Sequence, residues 1–275
     1  MKRIRKYLYP IIILLVFEAV AVTLWLTKHN LFYLFNFSYI GLAVSLGIFL
    51  FIRKHRYARR IVQLLVGLYM LVYLGLIRRE NMQIEGFWYY FFTGVFEAAT
   101  IHYAVAKLFG PLLFGRGWCG YACWTAMVLD FLPYKVPAKP RKKIGWIRYI
   151  TFAASLVFVA ALFLAKVGHI ESVMFRAFIA GNMAYYGVGI LLAFLFKDNR
   201  AFCKYICPIT VFLKPMSYFS LLRVRCDKEK CVGCGKCKRV CPMDVDVTDN
   251  TRKRKNGTEC ILCMECVRNC PKDAL

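Results

Sequence analysis

Near its C-terminus the chain reads Cys231, Cys234, Cys237, Cys241-Pro242 and then Cys260, Cys263, Cys266, Cys270-Pro271, the same C-x2-C-x2-C-x3-C-P spacing twice. Such a run wraps a cubane iron–sulfur cluster, and where two runs occur the fourth cysteine of each ligates the cluster of the other. One cluster is therefore expected on Cys231, Cys234, Cys237 and Cys270, and a second on Cys260, Cys263, Cys266 and Cys241. Zinc also takes thiolates at x2 spacing, and an even set of cysteines can form a disulfide framework. Neither accounts for a triple spacing repeated with a proline after each fourth cysteine. Thiolates that hold iron must stay reduced, so this segment is expected to face a reducing cytosol.

The remainder is too apolar for an ordinary soluble protein. Hydrophobic residues make up 60% of the chain and mean hydropathy is +0.50, where roughly half is usual. Six stretches, 10–26, 31–52, 61–77, 87–109, 146–165 and 173–196, approach the about 20 residues that cross a bilayer. The first follows the basic start Met1-Lys2-Arg3-Ile4-Arg5-Lys6 and reads as a retained span rather than a cleaved signal. The expected fold is an all-α polytopic bundle of about six transmembrane helices over 1–222, followed by an α+β bacterial-type two-cluster ferredoxin domain over 223–275.

The net charge is +24, from 39 lysines and arginines against 15 acids. With the N-terminus inside, only Lys28, Arg78, Arg79, Lys166 and Arg176 fall at the outer face. This positive-inside bias sets the orientation, with N-terminus and ferredoxin segment cytoplasmic in a multi-pass protein of the cytoplasmic (inner) membrane. It also accounts for the charge without a nucleic-acid partner. Trp25, Trp88, Trp118, Trp124 and Trp146 lie at predicted span ends, where amphipathic rings prefer to sit.

Two further cysteine pairs lie upstream, in GRGWCGYACWTAMVLDFLPY and NRAFCKYICPITVFLKPMSY. At a constant offset of 84 residues, Arg116 matches Arg200, Trp118 Phe202, Cys119 Cys203, Tyr121 Tyr205, Cys123 Cys207, Leu129 Leu213 and Tyr134 Tyr218. Self-similarity at fixed offset marks duplicated units. Each copy follows an outward-then-inward pair of spans, which makes the repeat parallel. A continuous helix would put Cys119 and Cys123 on one face, and Cys203 and Cys207 likewise. Four thiolates meeting across a pseudo-two-fold axis suit a third iron–sulfur cluster, zinc or copper(I). A reversible dithiol relay and simple packing of small buried cysteines are the other readings.

At these residues the chain resembles membrane-integral polyferredoxins of the NapH, NosR and CcoG type, in which spans carry cytoplasmic C-x3-C-P motifs and a two-cluster ferredoxin module follows. The resemblance runs from about Phe87 to the C-terminus. Cys203-Lys204-Tyr205-Ile206-Cys207-Pro208 matches the motif in full, while Trp124 stands where the first copy should have proline. The resemblance implies a non-catalytic electron-transfer subunit working between the quinone pool or a cytosolic donor and a membrane redox partner. Relatives serving oxidase copper-site maturation keep a metal-reducing role as the alternative, with a redox sensor as a third.

Glu18, Glu97, His102 and Asn182 fall within predicted spans, where ionisable groups are costly and mark candidate sites. Structural pairing is expected for Glu97, with a quinone pocket beside it as the alternative, and a hydrogen-bonded core position for His102. No second intramembrane histidine faces His102, which argues against a bis-histidine haem. The apolar stretch 209–222 is expected to lie along the inner interface or to dock on the other copy. Asn256-Gly257 predicts a tight turn, and the basic run 252–255 suits either an acidic donor such as a soluble ferredoxin or flavodoxin or anionic headgroups. Outer-face redox chemistry would need another subunit. Cys226, outside both ligand sets, is expected to be a free structural thiol.

Overall fold

The computed structural model describes residues 2–95, 102–254 and 257–275. Five helical stretches among them are long and apolar enough to cross a membrane: Tyr7–Lys28, Leu31–Ile52, Ala58–Ile77, Ile147–Leu164 and Ile170–Phe196. They reproduce five of the six predicted spans. Much of their apolar surface is open, with Leu164 85%, Met183 70% and Val157 65% exposed. Patches of that extent fit lipid rather than water.

The first two helices, α1 (Lys2–Lys28) and α2 (Leu31–Ile52), form a hairpin. Asn30 caps α2 by accepting from the Phe32 N–H at 2.9 Å, and Ser38 donates to Glu18 across the pair at 2.8 Å. Glu18 is thus a structural acceptor. Helix α3 (Ala58–Leu68) continues as π-helical turns over Tyr69–Ile77, where Tyr39, Tyr69 and Tyr73 stack with centroids 4.6 and 5.2 Å apart.

The fourth predicted span departs from expectation. Helix α4 (Ile84–Thr93) stops at Gly94, whose left-handed φ of +69° ends the helix while Gly94 and Val95 donate back to Phe91 and Tyr90. The chain is described again from His102, as π-helical turns over Ala104–Phe109 and then α5 (Gly110–Phe114). The described part of this stretch is therefore two short helical pieces, not one spanning rod. Glu97 lies outside the described residues.

Two short helices follow, α6 (Gly117–Tyr121) and α7 (Trp124–Leu129), then the long α8 (Ile147–Leu164) and α9 (Ile170–Phe196). After α9 the pattern recurs as α10 (Ala201–Tyr205) and α11 (Thr210–Tyr218). Helix α11 packs on α5, and Leu221 and Leu222 donate to the Leu112 and Leu113 carbonyls at 2.8 and 2.7 Å. The apolar stretch 209–222 thus docks against the lead-in to the first copy. The expected α+β character of the C-terminal segment is not met: among the described residues no strand occurs, only α12 (Lys236–Arg239), α13 (Glu265–Arg268) and one 3-10 turn, Gly257–Glu259. The run 223–227 meets the chain end through a single backbone bond, Asp227 donating to the Ala274 carbonyl at 2.8 Å, and not through a ladder.

Candidate redox site

The two C-x3-C loops have the same backbone. Helices α6 and α10 sit at the 84-residue offset, and the Cys123 and Cys207 amides close equivalent wide turns onto Trp118 and Phe202 at 3.1 and 3.0 Å. The cysteines of each pair do not share one continuous helix. Cys119 and Cys203 lie within the short helices, whereas Cys123 is an extended residue (ψ 118°) that begins α7. Trp124 opens that helix where the second copy has Pro208, so proline is not needed for the turn. Its buried indole donates to Asn182 at 2.8 Å. Trp124 and Asn182 are therefore core partners, not an interfacial anchor and a functional polar group.

Buried arginines bind the two loops to each other. Arg116 donates to the Cys203 carbonyl at 3.3 Å, and its counterpart Arg200 donates to the Cys119 carbonyl at 3.0 Å. The symmetry extends outward: Arg59, opening α3, donates to the Gly120 carbonyl at 3.1 Å, and Arg148, opening α8, donates to the equivalent Lys204 carbonyl. Each arginine group then meets one carboxylate. Arg200 and Arg59 hold Asp130 at 2.6 and 2.8 Å. Arg116, Arg141, Arg148 and Lys214 surround Glu259, which is 1% exposed.

Three of the four loop thiols pack together inside this frame. Cys203 shares an apolar cluster with Ala126 and Leu129, against which Cys123 and Cys207 pack. Arg200 Nη1 lies 4.0 Å from the Cys203 sulfur. Burial pushes the Cys203 thiol up to about 11 even with Arg200 beside it, and Cys207 is driven up by burial and by the other three sulfurs. A metal or cluster bound there would have to displace these protons and take up the sulfur charge.

The C-terminal segment repeats itself at an offset of 29 residues. Left-handed backbone recurs at Gly233 and Leu262, Gly235 and Met264, and Asp244 and Asp273, and the Val245 and Ala274 amides donate to the Cys241 and Cys270 sulfurs, both at 3.3 Å. The structure places Cys231, Cys234, Cys237 and Cys270 around one cavity of about 400 Å³, and Cys241, Cys260, Cys263 and Cys266 around a second, tighter one of about 20 Å³. Burial pushes Cys263 and Cys266 up to about 11 and about 12. Among the described residues no three His, Cys, Asp or Glu side chains converge closely enough to hold a metal ion; the eight thiols of the two runs line the two cavities. Buried Cys226 lines the first cavity, where sequence alone had not put it.

The second cavity faces the paired loops. Cys119 belongs to the same buried cluster as Cys241, Cys266 and Ile261. The approach is close enough to need Gly120, since a Cβ there would stand 2.3 Å from the Ile261 carbonyl oxygen. Tyr121 donates to the Leu262 carbonyl at 2.9 Å, and buried Lys204 bridges Asp198 and Asp244 at 2.8 and 2.7 Å. His102, expected to be a hydrogen-bonded core residue, has its Nε2 buried with no partner among the described residues and its ring 4.6 Å from Trp118. Lys107, also buried, lies over that indole at 4.0 Å.

Comparison with known proteins agrees with this chemistry. A 4Fe-4S binding domain model matches residues 103–147 and again 183–225, the two repeat copies, and a 4Fe-4S dicluster domain model matches 230–275. The chain is polyferredoxin-like, a membrane iron–sulfur electron-transfer protein. Among curated relatives, an uncharacterised protein of Methanocaldococcus jannaschii is 27% identical over 79% of this chain and 84% of its own length. The methylamine utilization ferredoxin-type protein MauN of Paracoccus denitrificans is 30% identical over 49% of this chain and 51% of MauN. An Escherichia coli protein named as the electron transport protein YccM is 37% identical over 21% of this chain and 16% of its own. No solved structure matches.

Proposed function

We propose that the protein passes electrons between a cytosolic donor or the quinone pool and a membrane redox partner, through a chain of sites ordered by depth. One [4Fe-4S] cluster sits on Cys231, Cys234, Cys237 and Cys270, at the end of the module where Cys234 is exposed. The second sits on Cys241, Cys260, Cys263 and Cys266. The four loop cysteines, Cys119, Cys123, Cys203 and Cys207, hold a third cluster or metal. Cys119 carries this reading, because it is buried against two ligands of the second cluster. The clusters supply the electron chemistry. The chain fixes their spacing, donates amides to their sulfurs and keeps water from the inner two, the levers that set their potentials. The N-terminus and ferredoxin module are cytoplasmic, and 1–222 and 223–275 act as a membrane unit and a docked electron module.

Iron, sulfide and copper quantification with EPR of the reduced protein tests the path. Anaerobically purified protein should hold about twelve irons per chain, and Cys119→Ser with Cys203→Ser should hold about eight, with both module clusters intact. Equal metal content in the two proteins, iron and copper alike, would remove the third site. Copper bound near stoichiometry and lost in the variant would favour metal maturation instead.

A further inference from the structure

Where the last membrane segment hands over to the ferredoxin module, Arg223, Arg252 and Arg254 converge on a cleft also lined by Ser217, Ser220 and Thr258. Its enclosed space of about 20 Å³ has room for one water-sized group, such as a single phosphate oxygen. Among the described residues no carboxylate lines it. Arg252 is tied to the Tyr218 and Ser220 carbonyls at 2.8 and 3.3 Å, and buried Arg254 to the Val224 carbonyl at 3.3 Å, and among the described residues neither pairs with an acid. The Arg223 Nε is buried with no partner among the described residues. A cationic cleft with an orphaned donor fits an anion carrying several acceptor oxygens.

The rim says which anion. Phe219, Leu221 and Leu222 are 60%, 67% and 63% exposed, and the backbone of the two leucines is bonded to 112–113, beside exposed Leu113. Exposed apolar side chains next to arginines form the pattern of a segment seated at the headgroup boundary. We infer that this cleft binds the phosphodiester of an anionic phospholipid, anchoring the ferredoxin module to the membrane surface. The inference rests on the membrane placement of the apolar helices; Cys260, assigned to the second cluster, also lines the cleft.

Native mass spectrometry of the full-length protein released from nanodiscs of mixed phosphatidylcholine and phosphatidylglycerol tests it. The wild type should retain one phosphatidylglycerol in preference to phosphatidylcholine. Each arginine near an anionic headgroup contributes about five-fold in affinity, so Arg223→Gln, Arg252→Gln, Arg254→Gln together should reduce retention by on the order of 100-fold. An iron content equal to wild type shows that this variant is folded; should it lose iron, Arg223→Gln alone is the informative protein, with retention reduced about five-fold. Retention without headgroup preference, or unchanged in the folded variant, overturns the inference. So does displacement of the lipid by millimolar inorganic phosphate, which would make free phosphate the ligand, and so does loss of binding to an acidic soluble ferredoxin with lipid retention intact.

Discussion

Arg116 ends on Glu259, a buried guanidinium on a buried carboxylate 143 residues away. The repeat explains why. Arg200 takes its carboxylate from Asp130 of the first copy, but the position equivalent to Asp130 in the second copy is Lys214. The ferredoxin module supplies the acid that the second copy lacks, and with it a lock onto the membrane segment. Removing one partner of a buried pair costs about 3–5 kcal/mol, since the other charge is left unpaired. Glu259→Gln should therefore lower thermal stability by that order and release iron from the second cluster. Adding Lys214→Glu, which returns an acid to the repeat position, should restore part of the loss. A double variant no more stable than Glu259→Gln would show that the lock is not set by this pairing.

Gly120 tests how close the module must come. Its missing side chain leaves room for the Ile261 carbonyl, so Gly120→Ala forces a shift of the loop between Cys260 and Cys263. Overpacking of this kind costs about 1–3 kcal/mol. The EPR signal of the second cluster should change while that of the first does not. Identical spectra for both clusters would mean that the loop yields without moving its cysteines.

Much of this arrangement could be read in advance because it rests on covalent spacing. The eight C-terminal cysteines fall round two cavities in the grouping expected from ligand exchange, and the offset of 84 already paired Arg116 with Arg200. What those arginines bind was hidden, since a crossed pair of side chain to carbonyl bonds leaves no spacing signal. Glu259 was passed over as one acid between cysteines, its burial decided by residues more than a hundred positions away. The fourth span misled because hydropathy does not register a break at a left-handed glycine such as Gly94. Trp124 misled for a related reason, as an indole suits both a span end and a packed core.

Asp130 carries the clearest pH dependence. Burial raises its carboxyl pKa, but Arg200 and Arg59 overcome that and hold it below the usual range. With a folded pKa below the unfolded value of about 3.9, its stabilisation is fully present above that pH and is lost as pH falls through the folded pKa. Asp130→Asn should thus cost about 3 kcal/mol, the effect of leaving two arginines unpaired, and the cost should be the same at mildly acidic and mildly alkaline pH. Thermal unfolding of both proteins across that range checks it. A cost that shrinks near neutral pH would contradict a depressed carboxyl.

Cys226 offers the finest test of how the chain tunes a cluster. It is 4% exposed, and Asn250 clamps its backbone from both sides, accepting from the Cys226 amide at 2.8 Å and donating to its carbonyl at 2.7 Å. Its thiol lines the first cavity beside Cys231 and donates to the Asp227 carbonyl at 3.8 Å; with a cluster bound, the same thiol would be placed to donate to the Cys231 sulfur. A donor to a ligand sulfur stabilises the more negative, reduced cluster and so raises its potential. Cys226→Ala should keep full iron content and lower the potential of the first cluster alone. One such bond is worth about 1 kcal/mol, or roughly 40 mV for one electron. Cys226→Ser, which still donates, should fall between the two in redox titrations followed by EPR. Loss of iron in Cys226→Ala would instead make this cysteine a ligand and displace one of the four now assigned.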